Sequence, residues 1–393
     1  DAFRLAKRVL CVSVLVGSPR YEEQAEQYGD GLRTASGTFQ KYFLPDEFHN
    51  FVRGTLRAPC VPISQGTILA FASQEELERF RAKRAGLRSE MPRGSRRRAS
   101  ELYVFDESAR DALDAFWDRC TELGREPLLS ELDELSDVSK LGLSPRAAFQ
   151  FLLDKLGSSD LRPAISARIE QLLVEWALAH FDGRIFFKYL DDPVKKDIDA
   201  FFENYSDLRE QARKLLFAIA DEEAILAACR EASAEGYGYL FGDHSLQLHV
   251  SLLDRLPPLL RVFEGSAQRL LGGRGRADLV KLHVTSGKVS YLGYDDFDGS
   301  PVPNLVERIK VDLAKRRIDY FDYIGPFEPR PLILKSLFLS DEDPNYERQE
   351  QFDRQVLKAG VVDPSDPHPS AETFKTALVA RGLQVRGWSL VRV

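Results

Sequence analysis

Leu279-Val280-Lys281-Leu282-His283-Val284, then Thr285-Ser286-Gly287, then Lys288 and Val289-Ser290-Tyr291-Leu292-Gly293-Tyr294, is the stretch that decides the fold. Two apolar runs of strand length flank a short turn with a glycine, the pattern of a β-hairpin. Alternation in the first run puts Lys281 and His283 on one face and Val280, Leu282 and Val284 on the other. With the apolar side against a core, Lys281 and His283 look outward together.

Working outward, the pattern after the hairpin predicts a helix over 304–315, strands over 318–323 and 332–339, a helix near 346–358, a Pro-rich break at 364–369, a further helix, and a last strand over 388–393. Ahead of the hairpin, from Asp106 to Gly236, the period is helical. Ser144-Pro145 and Asp192-Pro193 are helix starts, Gly157 is a stop, and Asp221 to Gly236 brackets another helix. Ile165, Ile169, Leu172, Trp176 and Phe181 recur at helical spacing and predict one packed apolar stripe.

At the front, the continuous apolar run Val9 to Val16 reads as a strand buried on both faces, as in the middle of a parallel sheet. A helix from Pro45 follows, and Cys60–Ile63 with Thr67–Phe71 has hairpin spacing across Ser64-Gln65-Gly66. Ser73 with Glu76 is a capping-box pattern that opens a further helix. Arg79 to Arg98 then holds nine basic residues and one acidic one, with Gly86, Pro92, Gly94 and Ser95 inside it, and reads as a basic linker.

At 393 residues the chain is long enough for two or three domains. Its 44% apolar and 29% charged residues are those of a folded globular protein, and no apolar run has membrane-spanning length, so a cytoplasmic chain without membrane contact is expected. Lys plus Arg at 54 against Asp plus Glu at 61 gives a net charge of −7, so an anionic partner must meet a local basic patch. Cys11, Cys60, Cys120 and Cys229 form no CxxC pair, which speaks against a zinc site or a disulfide framework. The chain opens Asp-Ala-Phe and its only Met is Met91, from which we expect residues upstream of Asp1.

No GxGxxG, P-loop or HExxH string occurs. The densest polar cluster, Asp243, His244, His249, Asp278, Lys281, His283 and Lys288, supplies candidate catalytic residues in Asp243, His244, Lys281 and His283. Carboxylate, lysine and histidine together suit acid–base work, metal binding or a phosphate contact. The same residues also suit a solvated sheet face, and both readings stay open. Arg93, Arg96, Arg97 and Arg98 are the candidate nucleic-acid-binding residues, set against a merely soluble linker. Gly272-Gly273-Arg274-Gly275-Arg276 reads as a flexible turn or a phosphate contact. Asp296, Asp298, Ser300, Asn304 and Glu307 match the spacing of a calcium loop, with Pro301 where glycine is needed, or else make an ordinary acidic turn.

Several longer strings carry a resemblance. Arg8 to Val14, Gly29-Asp30-Gly31, Gly37 to Phe43, Gly242 to Leu246, Leu279 to His283, Ser286 to Ser290, Tyr294 to Phe297 and Val306 to Lys310 resemble the family of methyltransferases associated with DNA phosphorothioation, over nearly the whole chain. That resemblance implies an S-adenosylmethionine-dependent enzyme encoded beside bacterial DNA sulfur-modification systems. It also implies that the glycine-rich cofactor turn precedes Asp1, so no cofactor is expected for this chain by itself. The expected architecture is α/β plus α. Residues 1–77 are the late strands of a truncated Rossmann-like methyltransferase domain, 78–100 a basic linker, 101–236 a helical domain, 237–340 a C-terminal α/β domain within an α+β unit, and 341–393 a helical tail. Expected partners are DNA and proteins of the sulfur-modification system. The rival reading is a non-enzymatic DNA- or protein-binding adaptor.

Overall fold

The computed structural model describes residues 8–14, 31–33, 39–41, 43, 45–64, 66–85, 107–323, 330–362 and 369–393. The chain divides into two compact units, one of residues 73–216 and one of residues 1–72 with 217–393. The unit boundary at 216 falls inside the helical run expected over 101–236, and the segment up to 72 groups with the C-terminal half. Among the described residues no helix is long and apolar enough to cross a membrane. Arg93, Arg96, Arg97 and Arg98 lie outside the described residues.

In the larger unit the chain begins with β1 (Val9–Ser13), β2 (Gly31–Arg33), β3 (Phe39–Lys41), α1 (Pro45–Leu56), β4 (Cys60–Ser64) and β5 (Thr67–Phe71). The hairpin of β4 and β5 forms as its spacing predicts. The expectation for Val9–Val16 is corrected. β1 is half exposed and lies antiparallel to β5 at the edge of a three-stranded sheet ordered β1-β5-β4. A run of apolar residues reports hydrophobicity, not the direction of the neighbouring strand, and Val9 is 45% exposed here. Phe48 and Val52 of α1 close over Ile68 of β5 to make the small core of this segment.

The 73–216 unit is helical: α2 (Gln74–Ala85), α3 (Glu107–Leu123), α4 (Pro145–Leu156), α5 (Arg162–Ala179), α6 (Asp192–Phe201) and α7 (Tyr205–Ala218), the last ending just past its boundary. The Ser73 hydroxyl accepts from Glu76 N at 3.2 Å and the Ser144 hydroxyl from Ala147 N at 3.2 Å, so both predicted caps are made. Phe116, Trp117, Cys120 and Leu152 lie in its core. A buried ion network ties three elements: Arg125 Nε to Asp197 Oδ1 at 2.6 Å, Arg125 Nη1 to Glu131 Oε2 at 2.8 Å, and Arg168 Nε to Asp197 Oδ2 at 2.7 Å. Of the predicted stripe, Leu172 and Trp176 are buried but Phe181 is 52% exposed. The α-helix ends at Ala179 and a 3₁₀ turn follows, so the helical phase is lost before Phe181.

The remainder of the larger unit runs α8 (Glu222–Ala234), β6 (Tyr239–Phe241), β7 (Ser245–His249), α9 (Pro258–Leu271), β8 (Leu279–His283), β9 (Lys288–Tyr294), β10 (Asn304–Asp312), β11 (Arg317–Asp322), β12 (Arg330–Pro331), α10 (Tyr346–Lys358), α11 (Ala371–Val379), β13 (Leu383–Arg386) and β14 (Ser389–Arg392). Its main sheet is antiparallel and ordered β11-β10-β9-β8-β7-β6, with β12 on β10. Two sequence readings are corrected here. Residues 304–312 form a strand and not a helix, because Arg308, Lys310 and Asp312 alternate with buried Ile309 and Val311; a bulge between Leu305 and Glu307 interrupts the alternation that would have announced it. Residues 332–339 carry a 3₁₀ turn, Lys335–Phe338, in place of a strand. One sheet face, with Leu246, Leu248, Val280, Leu282, Val289, Tyr291 and Val311, packs against Leu260 and Phe263 of α9 and Ile225 and Cys229 of α8. The 341–393 segment holds the two expected helices and the expected last strand, β14, which pairs with β13 as a hairpin where a helical tail is expected.

Candidate nucleic-acid interface

The face of the main sheet turned away from α8 and α9 is where the charges collect. Strand register stacks its side chains in rows, since directly opposed residues share a face. One row is Gln247, Lys281, Ser290, Lys310 and Asp319; the next is Ser245, His283, Lys288, Asp312 and Arg317; a third is His249, Leu279, Leu292, Arg308 and Phe321. At one end of this face Leu279, Leu292 and Tyr294 pack under Leu332, Phe338 and Leu339. The rest carries five cations, Lys281, Lys288, Arg308, Lys310 and Arg317, against two carboxylates, Asp312 and Asp319.

Both carboxylates already have partners. Lys288 Nζ lies 3.4 Å from the buried Asp312, and Arg317 reaches Asp319 at 3.0 Å. Lys281 and Lys310 make no hydrogen bond or ion pair among the described residues; each ammonium instead faces a ring, Lys281 that of Phe241 at 5.0 Å and Lys310 that of Phe321 at 5.9 Å. The Arg308 guanidinium is also beside Phe321, at 6.0 Å, and donates to the buried Ser290 hydroxyl at 3.3 Å. Phe321 itself is 41% exposed.

His283 sits within this group, its Nε2 3.0 Å from Ser290 Oγ. Burial, and then the charges of Lys281, Arg308, Lys310 and Lys288, push its pKa down to about 3. The ring is therefore neutral at pH 7, and the Ser290 oxygen that it meets also accepts from Arg308. Burial followed by Arg308 and Lys310 lowers Lys281, and burial followed by Arg308 and Lys288 lowers Lys310. Cations that depress one another in this way are relieved by an anion placed among them.

Of the four sequence candidates, the structure brings Lys281 and His283 onto this face, as alternation predicts. It does not join them to the Asp243 carboxylate. Asp243 and His244 occupy the exposed turn between β6 and β7, where Asp243 pairs with Arg230 of α8 at 2.8 Å. His249 caps a 3₁₀ turn through Ser251 N and stacks on Phe297 at 5.2 Å, and Asp278 accepts from Tyr294 N at 2.8 Å. Arg308, Lys310, Ser290 and Phe321 were missed, the first two because 304–315 reads as a helix. The period-2 run Arg308-Ile309-Lys310-Val311-Asp312 was the signal that could have found them.

No family model, curated protein or solved structure matches the chain.

Two other candidates resolve into structural roles. Arg274 of the glycine-rich turn holds the buried Glu264 with both nitrogens, at 2.7 and 2.9 Å, and Tyr291 donates to the same carboxylate at 3.1 Å, so that guanidinium is committed. In the calcium-spaced loop, Asp296 accepts from Gly299 N and Ser300 Oγ from Val302 N. The carbonyls of Phe297 and Ser300 accept from the buried Lys335 ammonium. Among the described residues no three His, Cys, Asp or Glu side chains are grouped to hold a metal ion.

Proposed function

We propose that this chain is the nucleic-acid-binding C-terminal portion of a DNA-modifying methyltransferase of the phosphorothioation-associated family, and that the cation-bearing face of β8, β9 and β10 takes the DNA backbone. The observation that carries the binding reading is the neutral His283 enclosed by Lys281, Lys288, Arg308 and Lys310, two of which have no anionic partner. Lysine and arginine neutralise phosphates, and a flat ring beside them offers a sugar or base an apolar surface. Despite the net charge of −7, this patch has a local excess of three positive charges, five against two.

The quoted strings support the finer assignment of residues 1–77 to the late strands of a Rossmann-like domain. An antiparallel edge such as β1 with β5 is compatible with that, since many doubly wound sheets end in a reversed strand. S-adenosylmethionine is the methyl donor this reading gives the complete protein. Among the described residues, no strand leads through a glycine turn into a helix that would cradle it. The same face also serves the adaptor reading, in which the chain binds DNA without chemistry of its own.

The test is the salt dependence of duplex DNA binding by fluorescence anisotropy. Replacing Lys281, Arg308 and Lys310 with Gln removes up to three phosphate contacts and should flatten the slope of log affinity against log salt by up to roughly 2.7, at about 0.9 for each. Replacing Arg93, Arg96, Arg97 and Arg98 with Ser tests the linker by the same readout. An unchanged slope in the triple variant would exclude the sheet face.

A further inference from the structure

The helical unit contains a pocket that plays no part in the sheet face. Trp176, Ala179 and His180 at the end of α5, Arg184 and Ile185 in the following turn, and Tyr205 and Arg209 of α7 enclose about 220 Å³. Ligand sites are mostly apolar with a few convergent polar groups, and this volume is below the roughly 300–1,000 Å³ of drug-sized pockets, so it suits a small molecule or one end of a larger one.

The aromatic walls have their polar tips already satisfied. Trp176 Nε1 donates to the Tyr205 oxygen at 3.3 Å, and the Tyr205 hydroxyl donates to the Ile185 carbonyl at 2.9 Å. The two rings meet edge to face with centroids 6.2 Å apart. Trp176 is 2% exposed, and the Tyr205 ring also meets Phe187, centroids 5.5 Å apart.

The cations are the reverse. Arg209 makes no hydrogen bond or ion pair among the described residues, and Arg184 contacts only the Phe186 ring, at 4.7 Å. No carboxylate lines the pocket. Burial raises the Tyr205 pKa, and the indole bond with the charges of Arg209 and Arg184 only partly offsets it, so both guanidiniums act on the phenol. His180 Nδ1 is 2.7 Å from the Trp176 carbonyl. A carbonyl can only accept, so Nδ1 donates to it, and Nε2 has no hydrogen-bond partner among the described residues.

We propose that this pocket binds a phosphate monoester, with Arg184 and Arg209 on the phosphate oxygens. Guanidinium forks match phosphate oxygens in pairs. Two sources offer this group: a free nucleotide, or the 5′-phosphorylated end of a DNA strand.

Calorimetric titration of the full chain with dAMP, deoxyadenosine, inorganic phosphate, and a single-stranded oligonucleotide with or without a 5′-phosphate tests it. The expected result is that dAMP or the 5′-phosphorylated oligonucleotide binds at least about tenfold more tightly than its unphosphorylated form, and that Arg184→Gln and Arg209→Gln each remove about tenfold or more. Arg184 is exposed, so its loss should leave the thermal midpoint unchanged and separate binding from folding. Preference for free dAMP identifies a nucleotide site, and preference for the oligonucleotide a strand-end site. The oligonucleotide arms are run on the triple Gln variant of the sheet face, so that backbone binding there does not enter the comparison. The proposal is overturned if neither phosphorylated probe binds, if the unphosphorylated forms bind equally well, or if both arginine variants bind as the native chain does.

Discussion

His283 makes stability depend on pH in a way that can be worked out from its surroundings. The groups that face it are Lys281 on its own strand, Lys288 and Ser290 on β9, Arg308, Lys310 and Asp312 on β10, and Ser245 and Gln247 on β7. Its folded pKa of about 3 lies below the ordinary 6.5, so the unfolded chain binds the proton first and stability falls as pH drops from 6.5 toward 3. At pH 5 the unfolded ring is mostly charged while the folded one is neutral. One and a half units at about 1.36 kcal/mol each make this group's contribution roughly 2 kcal/mol less favourable at pH 5 than at neutral pH. His283→Gln keeps a polar side chain and removes the titration. Urea unfolding, followed through hydrogen exchange of the β8 and β9 amides at pH 7 and pH 5, reads the sheet separately from the helical unit. The variant should lose about 2 kcal/mol less than the native chain between the two conditions. Equal losses would refute the claim that buried, cation-enclosed His283 stays neutral.

Lys335 should show the complementary effect. Burial lowers its pKa to about 8, against the partial support of Asp298, Asp353 and Asp343, so stability should rise between pH 8 and 10.5 by an amount on the order of 3 kcal/mol, and Lys335→Met should abolish that rise in denaturation curves. Asp197→Ala strands Arg125 and Arg168 in the core of the helical unit and should cost about 3–5 kcal/mol in thermal or chemical denaturation, whereas Asp243→Ala, which breaks an exposed pair with Arg230, should stay within about 0.5 kcal/mol. Gly238 has φ +106° and an added Cβ would come within 2.6 Å of the Gln247 carbonyl, so Gly238→Ala should destabilise the β6–β7 edge by more than about 1 kcal/mol, read as faster hydrogen exchange there.

The parts of the fold that were legible in the sequence are those written by local rules. The caps at Ser73, Ser144 and Asp221, the hairpins of β4 with β5 and β8 with β9, and α10 over 346–358 each follow from turn chemistry and period within a dozen residues. Residues 304–312 were misread because the bulge after Leu305 breaks the alternation, and 332–339 because an apolar run that packs over a sheet resembles one that joins it. The antiparallel placement of β1 is a tertiary property with no local signature. In the candidate site, Lys281 and His283 were visible from alternation, but their neighbours come from β9, β10 and β11. Sequence separation hides that convergence: Arg308, Lys310 and Phe321 become part of one patch only once register aligns them with Ser290 and Lys281.

The central claim is that DNA phosphates enter the cation group around His283, and the imidazole at its centre reports this most directly. With the protein near pH 4, about one unit above the ring's pKa of about 3, the His283 ring resonance, assigned by its loss in His283→Gln, is followed by NMR as duplex DNA is added. Phosphates among Lys281, Arg308 and Lys310 must raise the pKa of the ring, so its resonance should move toward the imidazolium position as DNA saturates. A resonance that stays at the neutral position while DNA binds would contradict the account.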